Sequence, residues 1–253
     1  MNVVEVLPRD AIPSVDDPAF GPTYDGDPAD EVIVVETDTE TRAYPIRYLH
    51  YHEIVNDVVG GDPLAITWCP LCGSAVVYEA TVEGRALTFG VSGKLADDDL
   101  VMYDRETESE WKQSTGEAIA GPLAGTTLTV RPAAMTTWEA FRESFPDGVV
   151  LRPPRQPSEA ASHDDEPAPV DYDEAPYEAY FESDGIGLAA HRGEGEGREW
   201  TREDLDPKDV VLGIEAGGEA LGIPASAIDD PGCLPVSVGG TAVVVFRTAD
   251  GLH

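Results

Sequence analysis

Lysine is scarce in this 253-residue chain. Lys94, Lys112 and Lys208 are the only three, against 13 arginines, and the 16 basic residues face 49 acidic ones for a formal net charge of −33. A surface this negative repels the phosphates of nucleic acid and of anionic membranes, which proteins bind by neutralising phosphate with Lys and Arg. Neither is expected as a partner. Long apolar runs are missing too: Ala242–Phe246 is among the longest, far short of the ~20 residues that span a bilayer. Glu5 and Asp10 stand where a signal peptide would carry its apolar stretch, so a cytoplasmic location is expected. An acid-rich, Lys-poor surface stays soluble in concentrated salt, where screening suppresses self-repulsion. The charge therefore reads as halophilic adaptation of a solvated surface and not as evidence of a partner.

What is present points to a packed, turn-rich domain: 42% apolar residues supply a core, and 25 Gly with 21 Pro supply turns. The expected class is mainly β with a few short helices (β-rich α+β). Glu31–Glu36, Ala65–Trp68, Ser74–Tyr78, Leu87–Val91 and Leu100–Tyr103 read as strands from their β-branched content. Glu83-Gly84 is a turn signal that predicts a hairpin over Ser74–Val91. Pro45 predicts a short helix through Tyr48–Val58, and Thr136-Thr137-Trp138-Glu139 a capped helix stopping near Phe145-Pro146. Pro153–Tyr172, with five prolines and many acids, reads as a linker or exposed loop. The expected layout is thus 1–152, a β-rich half bearing the Cys and His residues; 153–172, the acidic Pro-rich stretch; and 173–253, a second half.

An internal repeat supports that layout. A shift of 179 residues aligns the segment from Asp30 with that from Asp209, matching Val32 with Val211, Glu36 with Glu215, Pro45 with Pro224 and Val59-Gly60-Gly61 with Val238-Gly239-Gly240. Two similar halves are expected, the second degenerate. Cys69 and Cys72 fall opposite Thr248 and Gly251, and His50 and His52 opposite Asp229 and Pro231. The Cys and His residues therefore belong to the first half alone.

Chemistry concentrates at Cys69-Pro70-Leu71-Cys72-Gly73, directly after a strand. A C-x-x-C turn can set two sulfurs on one ion, and the same spacing serves thiol–disulfide exchange. There is no second C-x-x-C, so further ligands must come from elsewhere. His50 and His52 precede the strand that delivers Cys69; if their segment is helical only one can face the sulfurs, and His52 is favoured because Glu53 and Asn56 follow it as ring-orienting groups. Two thiolates and an imidazole suit copper or zinc and leave one position open. Cys233 reads as a small core residue, His163, His191 and His253 receive no role, and Asp97-Asp98-Asp99 reads as a solvated turn although it is able to take a hard cation. Asp57 and the aromatic- and amide-rich stretch with Tyr103, Asp104, Trp111 and Gln113 are candidates for the wall of a pocket. No Gly-rich phosphate loop and no nucleophile elbow is present.

Several segments stand in a telling order: Ala11-Ile12-Pro13, Ala43-Tyr44-Pro45-Ile46, His52-Glu53-Ile54-Val55-Asn56-Asp57, Thr67-Trp68-Cys69-Pro70-Leu71-Cys72-Gly73-Ser74, Gly93 with Leu95, Asp99 to Asp104, and Trp111-Lys112-Gln113. Together they resemble a prokaryotic family catalogued only as a domain of unknown function (number three-one-seven-nine), over nearly the whole chain. The resemblance implies that His52, Cys69 and Cys72 form a shared chemical cluster and implies no reaction. The expected function is a transition-metal-binding protein holding one copper or zinc ion at Cys69, Cys72 and His52, with catalytic residues unknown. The alternatives are a metal-free thiol–disulfide redox protein using Cys69 and Cys72, and a scaffold with a structural zinc site.

Overall fold

β-branched and aromatic residues set most of the architecture of the computed structural model, which describes residues 1–162, 166–195, 197–228, 232–248 and 251–252. His163, His253, Asp229 and Pro231 lie outside the described residues. The fold is mainly β, with short helices between the strands.

At its centre lies a three-stranded antiparallel sheet, Ile54–Val59, Asp62–Cys69 and Ser74–Glu79. Alternate residues along a strand point to opposite faces, and here both faces are buried. Ile54, Ala65, Cys69 and Tyr78 pack with Phe89, Met102 and Trp111 on one side. Val55, Leu64, Ile66, Trp68 and Val77 pack with Ile33, Val35, Tyr44 and Leu49 on the other. Two-sided burial explains why Leu64–Cys69 reads as a continuous apolar run and not as an alternating one.

The two outer sheets close those faces. One orders Val3–Glu5, Phe89–Ala96, Asp99–Asp104, Glu110–Lys112 and Ala118–Ala120; the other orders Ala134–Thr137, Glu31–Glu36, Thr41–Pro45, Val149–Leu151 and Phe20–Gly21. Thr137 caps the helix Trp138–Ser144 by accepting from the Ala140 N–H, as the sequence predicts.

Two local expectations change. The helix after Pro45 runs only over Ile46–His52, because Glu53 takes a left-handed conformation (φ 56°) and turns the chain into the strand Ile54–Val59. β-branched Ile54, Val55, Val58 and Val59 fit a pleated strand better than a helix. The Glu83-Gly84 turn forms, but it joins only Thr81–Val82 to Arg85–Ala86. Ser74–Glu79 pairs instead with Asp62–Cys69 across the turn Pro70–Gly73.

Beyond the Pro153–Tyr172 stretch and two short helices, Glu178–Glu182 and Leu188–His191, the chain forms two further hairpins, Val211–Ala216 with Glu219–Pro224 and Gly232–Val238 with Thr241–Thr248. The first-half hairpins pair Val32 with Pro45 and Ile54 with Thr67; 179 residues on, Val211 pairs with Pro224 and Cys233 with Phe246. The other rungs of both first-half hairpins have counterparts under the same shift. The later hairpins bury little: Ile223, Ile228 and Val245 form a small core of their own.

Gly93 fixes the N-terminal segment. Its carbonyl accepts the N–H groups of Val6 (2.8 Å) and Leu7 (3.0 Å) at an irregularity in the strand Phe89–Ala96. Its φ is +77°, and a Cβ there would lie 2.0 Å from the Leu7 carbonyl oxygen. Gly93→Ala is expected to destabilise the fold by on the order of 3 kcal/mol, read as a lowered denaturant midpoint; an unchanged midpoint would refute this close approach.

Candidate metal centre

The strand Asp62–Cys69 ends on a buried thiol, and Cys69 and Cys72 are both free. In the turn that follows, the Cys72 N–H donates to the Cys69 carbonyl (3.2 Å) and the Gly73 N–H to the Pro70 carbonyl (3.4 Å), while Gly73 takes φ +57°. This turn folds the exposed Cys72 back so that its sulfur lies 2.8 Å from that of Cys69.

A second hairpin brings the third group. Asp97 and Asp98 both have positive φ (55° and 66°), the mark of a tight two-residue turn between the paired residues Ala96 and Asp99. Asp99 is 4% exposed. Its Oδ1 lies 3.4 Å from the Cys72 sulfur, and its Oδ2 accepts from the Ser114 hydroxyl (2.5 Å) and N–H (3.1 Å). Cys69, Cys72 and Asp99 each offer one ligand atom, all within 4.8 Å of one another. Asp99 was legible only as part of an acidic run; its neighbours Asp97 and Asp98 make the turn and anchor other segments.

The cysteines come together as the C-x-x-C spacing requires, whereas the histidines are engaged elsewhere. His52 is fully buried; its Nδ1 lies 3.0 Å from the Pro13 carbonyl and its Nε2 2.6 Å from the Tyr172 hydroxyl. His50 accepts from the Trp68 indole N–H at Nδ1 (3.3 Å) and packs on Trp68, Tyr177 and Phe181. Burial holds both imidazoles neutral, with pKa values lowered to about 4, the Pro13 contact opposing the shift at His52. The Cys72 thiol is pushed well up, first by its hydrogen bond with Cys69, then by burial and by the negative charge of Asp99.

The other candidates divide. Gln113, fully buried, donates to the Thr67 hydroxyl (3.0 Å) and accepts from the Ser74 hydroxyl (3.0 Å), so it braces the strands that flank the Cys turn. Asn56 ties the central sheet to the backbone of Phe89 and to Asp16. Asp57 accepts from Arg42 (2.7 Å) and Tyr44 (2.6 Å). Asp104 accepts from the Trp111 indole (2.9 Å) and from Thr107 within the core, and Tyr103 donates to Asp10 (2.5 Å). Asn56, Asp57, Asp104 and Tyr103 thus hold elements together and make no hydrogen bond to either sulfur.

The segment after Tyr172 covers the Cys turn. The Tyr180 hydroxyl donates to the Leu71 carbonyl (2.8 Å), and Asp98 accepts from the Leu188 N–H (3.1 Å). His191, with no role expected from the sequence, stacks on Tyr177 at 4.8 Å. A cavity of about 140 Å³ lies beneath, walled by Cys69, Glu53, Tyr177 and a set of apolar side chains. Burial, followed by the charge of Glu159, raises the Glu53 carboxyl to about 8.

A mainly β fold with a Cys-rich, metal-capable turn under a helical cover defines the class of this protein. The chain belongs to the family described as "Protein of unknown function (DUF3179)", which matches residues 9–253. No curated protein and no solved structure matches it. Among the described residues no helix is long and apolar enough to cross a membrane.

The Glu53 shift has a stability signature. Between its ordinary value near 4.5 and about 8, the folded chain keeps a proton that the unfolded chain has lost. Glu53 therefore makes stability fall as pH rises through that window and level off above it. The thermal midpoint of Glu53→Gln, measured against wild type, is expected to gain steadily from pH 5 to pH 8. A difference independent of pH would mean that the carboxyl ionises at its ordinary value.

Proposed function

We propose that this chain binds one transition-metal ion through the thiolates of Cys69 and Cys72 and the Oδ1 of Asp99. The observation that carries this reading is the convergence of those three ligand atoms within 4.8 Å. A carboxylate beside two thiolates suits zinc better than copper, which prefers soft sulfur and imidazole ligands. Ser114 holds the outer oxygen of Asp99, the kind of support that metal-bound carboxylates carry. The sulfurs stand 2.8 Å apart, closer than the ~3.8 Å of two thiolates bound tetrahedrally at ~2.3 Å. Binding thus requires the exposed Cys72 to swing outward. It also requires the raised Cys72 thiol to give up its proton, so affinity rises with pH. With three protein ligands a zinc ion keeps one position for water or substrate, where it acts as a Lewis acid.

The short sulfur separation favours a second reading, a reversible Cys69–Cys72 disulfide. Against it stands the charge environment: His50 and His52 are neutral, and the carboxylate of Asp99 faces Cys72, which disfavours a thiolate there.

The matching pairing registers under a 179-residue shift support a duplicated unit. On that reading the second copy serves structure, and the Cys cluster gives the first copy the chemistry.

Elemental analysis with a free-thiol count tests these readings. One equivalent of zinc is expected, lost in Cys69→Ser and Cys72→Ser, weakened at least about tenfold in Asp99→Asn, and retained in His52→Gln. Zinc lost in His52→Gln but retained in Asp99→Asn would replace this ligand set. Metal-free protein whose two thiols oxidise as a pair would establish the disulfide reading.

A further inference from the structure

The cavity behind the Cys turn contains a chemical mismatch. Most of its wall is apolar, from Leu7, Ile12, Val91, Leu100 and Leu188. Glu53 and Tyr177 line the same space and are only 7% and 8% exposed. Neither side chain has a hydrogen-bond partner among the described residues. Among the described residues Asp10 alone carries a sealed, unpartnered side-chain oxygen, so we take the polar atoms of Glu53 and Tyr177 to open onto the cavity they line. Buried polar groups left unpaired cost ~1–3 kcal/mol each, and both tyrosine hydroxyls nearby have partners: Tyr172 bonds His52 and Tyr180 bonds Leu71.

We propose that this cavity binds a small uncharged organic molecule through a carbonyl-type oxygen that accepts from the Tyr177 hydroxyl, with the Glu53 carboxyl at the same polar end. Size follows from the volume: about 140 Å³ is close to the ~150 Å³ engineered cavity that holds benzene. Charge follows from the walls. Of the basic groups at its edge, Lys94 is paired with Glu110 (2.5 Å) and Arg192 is exposed, so the buried polar end offers an ion no free countercharge, and either an anion or a cation would lose its hydration to aliphatic side chains. The raised pKa of Glu53 agrees with a neutral acid in this position. A paired phenol and carboxylic acid aimed at one oxygen in an apolar pocket is also an arrangement that stabilises developing negative charge on a carbonyl. Cys69 borders the cavity while Cys72 and Asp99 do not, so this site stands apart from the metal proposal.

Calorimetric titration of the full chain with cyclohexanone, benzene and cyclohexylamine tests it. Cyclohexanone is expected to bind more tightly than benzene, and cyclohexylamine least. Tyr177→Phe removes only a hydroxyl without a protein partner, so the variant keeps the wild-type unfolding midpoint; it is expected to weaken cyclohexanone about fivefold and to leave benzene unchanged. Glu53→Gln provides a second, independent loss. Cyclohexanone binding persists in Cys72→Ser, which separates this site from the metal centre. Tighter binding of cyclohexylamine than of cyclohexanone, an unchanged cyclohexanone affinity in Tyr177→Phe, or no binding of any probe would overturn the proposal.

Discussion

Burial of the central three-stranded sheet on both faces is the constraint from which the rest of the structure follows. A strand sandwiched in this way exposes no polar face, so Asp62–Cys69 carries Leu64, Ala65, Ile66, Trp68 and Cys69 almost without interruption. Strand phase then decides chemistry. Trp68 falls on the face packed by the helix Ile46–His52, where its indole meets His50. Cys69 falls on the other, towards Phe89, Met102 and Trp111, and towards the hairpin that carries Asp99. A one-residue slip would exchange the two.

The polar groups that enter this interior are nearly all paired, which makes the unpaired ones informative. Asp104 is fully buried yet accepts from Trp111 and Thr107, and Gln113 joins Thr67 and Ser74. Such networks give a core a single arrangement. They hold the Cys turn at one end of the central sheet against the Ser114 end of the outer one. Glu53 and Tyr177 depart from that rule, and they do so together, at one cavity.

Much of the fold was legible from composition. Glu31–Glu36 and the stretch through Cys69 announce strands through β-branched residues, and Thr137 announces a helix start. The Cys-Pro-Leu-Cys-Gly turn declared the two sulfurs. Other features were hidden for definite physical reasons. His52 looked like a ligand because its partner Tyr172 lies 120 residues on, in a stretch whose prolines and acids resemble a solvated loop. Asp99 was masked by the abundance of acid: in a chain with 49 Asp and Glu, three consecutive aspartates look like surface. Only pairing of Ala96 with Asp99 shows that the first two form the turn and the third points inward. The sequence predicts too long a helix after Pro45 because nothing in it marks Glu53 as the residue that adopts a positive φ.

That strained position links fold to site. A left-handed conformation at a non-glycine residue costs on the order of 1 kcal/mol, and at Glu53 burial of an unpartnered carboxyl adds to it. Both costs arise at the residue where the helix Ile46–His52 hands over to the central sheet, its carbonyl accepting the Trp68 N–H one residue before Cys69. A glycine would turn the corner without strain, and an apolar residue would sit in the pocket wall without desolvation. Neither would present a proton donor to the space beside Cys69. The handover itself therefore needs no acid, and the carboxyl of Glu53 finds its reason in the cavity and not in the turn.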